Sequence, residues 1–207
     1  MCLIVHKPAG RALPGALLRS AAVFNPHGAG FVALPAGRAA VVRRAAATHA
    51  DQILGWAADH LDDECVFHFR YRTRGEVDLD NAHPLPVTKH IHLFHNGTLA
   101  VDSHTPARSD SWHLARDFLA PVLARRPALL SDPTFGRMLA AAIGRLNRLV
   151  LVDTQARRVL VVNREAGIER DGLWLSNTRW FDPRVLDWLP AVRPAPSPAP
   201  RAVSFLS

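Results

Sequence analysis

The 207 residues are 48% hydrophobic with a formal net charge of +7, which is enough chain for one sizeable core and a charge that bears on solubility rather than fold. Arginine is spread through every segment, with doublets at Arg43-Arg44, Arg125-Arg126 and Arg157-Arg158, which excludes a concentrated basic face and a specific nucleic-acid partner. The two cysteines, far apart, exclude a disulfide framework and a cysteine-based zinc site and fit a reducing compartment. No run approaches the ~20 apolar residues of a membrane helix, and CLIV after Met1 lacks the length and the basic lead of a signal peptide. The expectation is a soluble, cytoplasmic protein with no membrane partner.

In chain order, residues 2 to 6 read as a strand and 14 to 24 (PGALLRSAAVF) as a helix with Pro14 in its first turn. Gly28 and Gly30 precede an apolar strand, FVAL, at a place where backbone turns tightly or meets another chain closely. A turn at Pro35 to Gly37 pairs that strand with RAAVVRR. Thr48 is expected to cap a helix running to about His60, its apolar stripe made by Ile53, Leu54, Trp56, Ala57 and Leu61. The stretch ECVFHFRYR alternates Cys65, Phe67 and Phe69 against Val66, His68 and Arg70, a strand with one aromatic face and a largely polar one.

After a polar loop, KHIHLFHNGTLAV reads as two strands joined by a hairpin at Asn96-Gly97. Ser109 caps a helix over DSWHLARDFLAPVLA, and Asp132-Pro133 opens another through Asn147. RLVLVDT, RRVLVVN and GLWLSNT supply three closing strands, and residues 190 to 207 form a proline-rich tail outside a single domain spanning 1 to 189. The absence of a βαβ rhythm makes the fold class α+β, with antiparallel strands in two groups.

Cys2 admits two readings. It is a small hydrophobe opening a buried strand, or, once Met1 is removed, an N-terminal nucleophile whose own α-amino group, with a pKa of about 7.7 to 8, serves as base. Asn96 and Gly97 offer a side-chain and a backbone N–H, the donor pair an oxyanion needs, although the same dipeptide is also a plain hairpin turn. Arg70 suits a carboxylate and Asp110, opening a helix, an ammonium; each alone is also an ordinary charge. His90, His92 and His95 put two imidazoles on one strand face, with no carboxylate or cysteine in the segment, so no metal is expected. Cys65 reads as core, and Trp174 and Trp180 as packing groups.

Together these residues resemble the class II glutamine amidotransferases, N-terminal-nucleophile (Ntn) hydrolases with Cys directly after Met. The family motif H-T-R-W-A-T-H-G compares with HFRYRTRG at 68 to 75, which keeps His68, Arg70, Thr73 and Gly75. NAHP at 81 to 84, HNGTL at 95 to 99 and SDS at 109 to 111 follow in family order, so the resemblance covers residues 2 to about 120. It implies a four-layer αββα fold in which Cys2 attacks the carboxamide of glutamine, ammonia leaves, and a γ-glutamyl thioester is hydrolysed to glutamate. It further implies Asn96 and Gly97 as the oxyanion hole, Arg70 on the α-carboxylate, Asp110 on the α-amino group, and Thr73 lining the pocket with Tyr71, Arg74 and Gly75. No cofactor is implied.

The family's Trp is Tyr71 here, and Arg72 and Arg74 add two cations beside the expected pocket. These favour, as an alternative, a larger anionic γ-glutamyl amide or another small amide as substrate. With no room for a second domain after residue 190, any acceptor of the ammonia is expected on a separate enzyme subunit. A further alternative is a catalytically inactive binding module.

Overall fold

The computed structural model describes residues 2 to 101 and 104 to 178; the proline-rich tail and Trp180 lie outside them. Two antiparallel sheets and a set of helices make an α+β fold. The first sheet has six strands in the order β3 (Val41–Ala45), β2 (Ala29–Leu34), β4 (Glu64–Phe69), β1 (Leu3–Lys7), β10 (Leu173–Leu175), β9 (Ile168–Arg170). The second has four, β5 (Leu85–Pro86), β6 (Ile91–Asn96), β7 (Arg148–Asp153) and β8 (Arg158–Val162).

The period of two assigns the faces. Leu3, Val5, Phe31, Cys65, Phe67 and Phe69 of the first sheet pack with Leu17, Leu18 and Ala21 of α1 (Gly15–Phe24) and Ile53 and Trp56 of α2 (Ala50–Ala58). Their alternates Ile4, Val32 and Val66 join Phe94, Val150 and Val152 of the second sheet in another cluster, with Trp174. The second sheet's remaining face, with Leu93, Leu149 and Leu151, packs on Leu114, Leu119, Leu123 and Ile143 of the later helices. Because both faces of β4 are covered, its expected polar face is not solvated: Val66 and His68 are as buried as Phe67. The core reading of Cys65 and Trp174 holds, the indole Nε1 donating to the Arg164 carbonyl at 2.9 Å.

Several boundaries differ from the sequence expectation for identifiable reasons. Thr48 does not cap α2; its hydroxyl accepts the Gly28 N–H instead, and the helix begins after His49 with no side-chain cap. The helix opened by Asp132-Pro133, α5 (Pro133–Ile143), stops four residues before Asn147, because Gly144, at φ +73 and ψ 166, takes a positive-φ conformation open to glycine that carries the chain out of the helix. Ser109 caps as expected, accepting the Trp112 N–H at 3.2 Å, but the helix it opens is composite: α3 (Asp110–His113), a π-helical stretch Leu114–Leu119 and α4 (Ala120–Leu123). Pro121 has no N–H to give the i−4 carbonyl, and the widened turns precede it.

The expected hairpin at Asn96-Gly97 does not form. Strand β6 ends at Asn96, paired with Arg148, and the strands beside it are β5 and β7. Gly97, at φ +147, turns the chain away, and the Leu99 N–H donates to the Asp110 carboxylate rather than to a returning strand.

Candidate functional site

Register brings the candidate residues to one end of the first sheet. Leu3 of β1 faces Phe69 of β4, so the residue before one meets the residues after the other: Cys2 beside Arg70 and Tyr71. The Cys2 thiol lies 3.5 Å from the Tyr71 carbonyl, and the Tyr71 N–H donates to Sγ at 3.4 Å. Tyr71 thus addresses the thiol through its backbone, while its ring is exposed and edge-on to His27. The end of β10 arrives at the same place, where Asn177 Nδ2 donates to the Cys2 carbonyl at 2.8 Å.

A cleft with Cys2 on its wall is bordered by Arg70, Tyr71, Thr73 and Arg74 on one side and Gly97 and Asp110 on the other. These are seven of the nine candidates. Asn96 is buried behind Gly97, its amide against Ser176 Oγ at 2.7 Å. Gly75 sits behind the wall, where an added Cβ would lie 2.7 Å from the Ser109 nitrogen and its φ of +70 favours glycine. Arg72 is not part of the cleft; its N–H donates to His27 Nδ1.

The two charges expected to grip a substrate are already held by backbone. Arg70, 3% exposed, donates from Nη1 to the Glu76 carbonyl at 2.7 Å and from Nη2 to that of Arg74 at 3.0 Å, so it folds the 74–76 loop around itself. Asp110 accepts the Leu99 N–H on Oδ2 and the Ser111 N–H on Oδ1. Each retains donors or lone pairs beyond those contacts.

Four further groups in the cleft wall, His83, His95, Ser109 and Ser111, were not among the residues to which the sequence assigned a part in the chemistry. His95 bridges Ser111 Oγ at 2.7 Å and Asn147 Oδ1 at 2.9 Å. Asn147 Nδ2 donates to the Ile143 carbonyl, which fixes its Oδ1 as acceptor, so His95 carries its proton on Nε2 and accepts the Ser111 hydroxyl on Nδ1. Asn163 in turn donates to the Asn147 carbonyl. Asn81 of NAHP is a clamp: its Oδ1 accepts the Ser109 N–H and its Nδ2 donates to Asp78 and to the Ala107 carbonyl. The quoted motifs NAHP and SDS contained Asn81, His83, Ser109 and Ser111; nothing in the sequence marked Asn147, Ser176 or Asn177.

No protein-family model matches this chain, and no curated protein matches it. Among solved structures it is similar to a glutamine phosphoribosylpyrophosphate (PRPP) amidotransferase from B. subtilis, complexed with ADP and GMP, at 15% identity and a TM-score of 0.46. That similarity covers 84% of this chain and 41% of the other, so the chain spans about two fifths of that protein's length.

Burial pushes the Cys2 thiol up, and the Tyr71 N–H and the Arg70 charge pull it partly back. Behind it His68, His83 and His95 are buried and all held neutral, burial being the first cause for each. His68, pushed down to about 3, donates Nε2–H to the His95 carbonyl across the two sheets at 3.2 Å and lies against the tilted ring of His83 at 4.1 Å between ring centroids. Among the described residues no group of three or more His, Cys, Asp or Glu is arranged to hold a metal ion.

The neutral histidines make a prediction about stability. A histidine whose folded pKa lies below its unfolded value of about 6.5 binds its proton only after unfolding, so acid favours the unfolded chain. His68, at about 3, and half-buried His92, brought to about 4 by burial and Arg44, fall in this class with His83 and His95. Stability is expected to fall as pH drops from about 6.5 toward 4, with His68 alone contributing a slope near ~1.4 kcal/mol per pH unit. Urea midpoints measured from pH 7 to 5 should decline accordingly; a flat profile would contradict neutral burial.

Proposed function

We propose that the chain is a glutamine amidotransferase-type amidohydrolase of the N-terminal-nucleophile kind, its two sheets packed between helical layers as a four-layer αββα sandwich. The observation that carries this reading is the convergence of Cys2, Arg70, Gly97 and Asp110 on one cleft from four separate segments. The sequence motifs at 68–75, 81–84, 95–99 and 109–111 support it independently.

The chemistry follows from the groups present. A thiol raised by burial is protonated at neutral pH and needs a base; with Met1 removed, the Cys2 α-amine lies in the same residue and has the matching pKa of about 7.7 to 8. The thiolate attacks the carboxamide carbon, and the oxyanion is met by the Gly97 N–H and the Asn96 amide. The amine returns the proton to the departing nitrogen, ammonia leaves, and water hydrolyses the γ-glutamyl thioester to glutamate. The unused donors of Arg70 take the α-carboxylate and the open lone pairs of Asp110 the α-ammonium. Arg74, exposed on the cleft wall, favours as a second reading a γ-glutamyl amide with further negative charge. The ammonia passes to a separate acceptor enzyme or is simply released.

Intact mass before and after exposure to an electrophilic glutamine analogue tests the reading. The expected result is a chain lacking Met1 that gains one adduct, on Cys2. A folded sample that retains Met1 or takes no label contradicts it, and a panel of γ-glutamyl amides beside glutamine separates the two substrate readings.

A further inference from the structure

The Asn96 amide sits in an unbalanced set of hydrogen bonds. Its Nδ2 lies 2.7 Å from Ser176 Oγ, while its Oδ1 is buried with no partner. Ser176 Oγ already accepts the Ile4 N–H at 2.9 Å. In this orientation the hydroxyl accepts two N–H groups, its own proton meets no acceptor among the described residues, and a buried carbonyl oxygen goes unsatisfied.

Turning the amide by half a revolution about its last bond corrects both defects, and because amide oxygen and nitrogen have nearly the same shape it displaces nothing else. The Ser176 hydroxyl then donates to Oδ1 and keeps the Ile4 N–H. The length agrees: 2.7 Å is ordinary for O–H···O and short for N–H···O, whose usual value is about 2.9 to 3.0 Å. What remains unpaired is Nδ2, a donor, in place of an acceptor.

We infer that Ser176 is a positioning residue that holds the Asn96 carbonyl and so presents Asn96 Nδ2–H as a free donor for the oxyanion; this rests on the acyl-transfer reading above. The placement of Ser176 suits the role. Its N–H donates to the Ile4 carbonyl and its hydroxyl takes the Ile4 N–H, so it is clamped to β1 two residues from the nucleophile. Its neighbour Asn177 donates to the Cys2 carbonyl. One short segment therefore sets both the thiol's backbone and the amide proposed to meet the oxyanion. A donor left unpaired in a buried site is costly to the fold, and it is useful where it meets charge that exists only during reaction.

Two measurements test this, one of them independent of activity. In isotope-labelled protein the Asn96 amide protons are expected to show no nuclear Overhauser effect to the Ser176 β protons; a clear effect to those protons places Nδ2 against Ser176 and overturns the inference. Kinetically, Ser176→Ala is expected to lower kcat for glutamine hydrolysis by about tenfold or more with KM within about twofold. Alkylation of Cys2 by iodoacetamide, which forms no oxyanion, should keep its wild-type rate, and Ser176→Thr, which retains the hydroxyl, should restore kcat. A parallel fall in alkylation, or no rescue by threonine, makes Ser176 merely structural and overturns the role. If the wild-type chain releases no ammonia from glutamine or any γ-glutamyl amide, it is the functional reading that fails, and the resonance measurement still decides the amide's orientation.

Discussion

Replacing Cys2 by alanine is expected to remove ammonia release from glutamine by at least roughly 10⁴-fold and to abolish labelling by an electrophilic glutamine analogue. The fold should survive. Cys2 precedes the first strand residue, is only partly buried, and its sulfur makes two weak contacts at 3.4 and 3.5 Å with the Tyr71 backbone, so Tm should move by less than about 3 °C. A chain with extra residues fused ahead of Met1 is the sharper control. It keeps the thiol and loses the free amine, and since burial holds the thiol protonated, it should be as inactive as Cys2→Ala. If either form hydrolyses glutamine at the wild-type rate, another residue is the nucleophile or another group the base. If the variants leave the cellular role untouched, the chain acts as a binding module.

What the sequence made legible was what depends on local pattern. Alternation in ECVFHF placed Cys65, Phe67 and Phe69 on one face, and Ser109 and Asp132 marked the starts of their helices. It failed where a residue's partner is remote in the chain. Asn-Gly reads as a hairpin by local statistics, yet the strand paired with the Asn96 end of β6 is β7, about fifty residues on, and Gly97 serves to turn the chain beside Asn147 instead. Thr48 looks like a cap until Gly28 claims its hydroxyl. Asn147, Ser176 and Asn177 are ordinary residues in strand-like or helix-end segments, and only the assembled fold shows each one's contacts to His95, Asn96 and Cys2. Gly30 was legible as a close approach, and so it is: a Cβ there would fall 1.6 Å from the His83 carbonyl oxygen.

Gly97→Ala is expected to cost about a hundredfold or more in kcat and to lower Tm by roughly 5 to 15 °C. The new Cβ would fall 2.1 Å from Asn147 Oδ1 and 3.0 Å from Asn147 Cα, at a backbone φ of +147 that disfavours any L side chain. Asn147 has little room to yield. Its Nδ2 is bonded to the Ile143 carbonyl, its Oδ1 to His95 and its own carbonyl to Asn163. The strain is therefore relieved by displacing the Gly97 peptide, the backbone N–H proposed for the oxyanion, or by breaking the His95–Asn147 bond behind it. A double-mutant cycle separates these routes: Asn147→Ala removes the clashing oxygen, so the double variant should recover stability relative to Gly97→Ala alone. If kcat recovers with Tm, the loss belonged to the displaced N–H; if kcat stays low while Tm recovers, it belongs to the broken His95–Asn147 bond. If Gly97→Ala keeps wild-type kcat, the Gly97 N–H does not meet the oxyanion, and the donor pair proposed at the end of β6 is wrong.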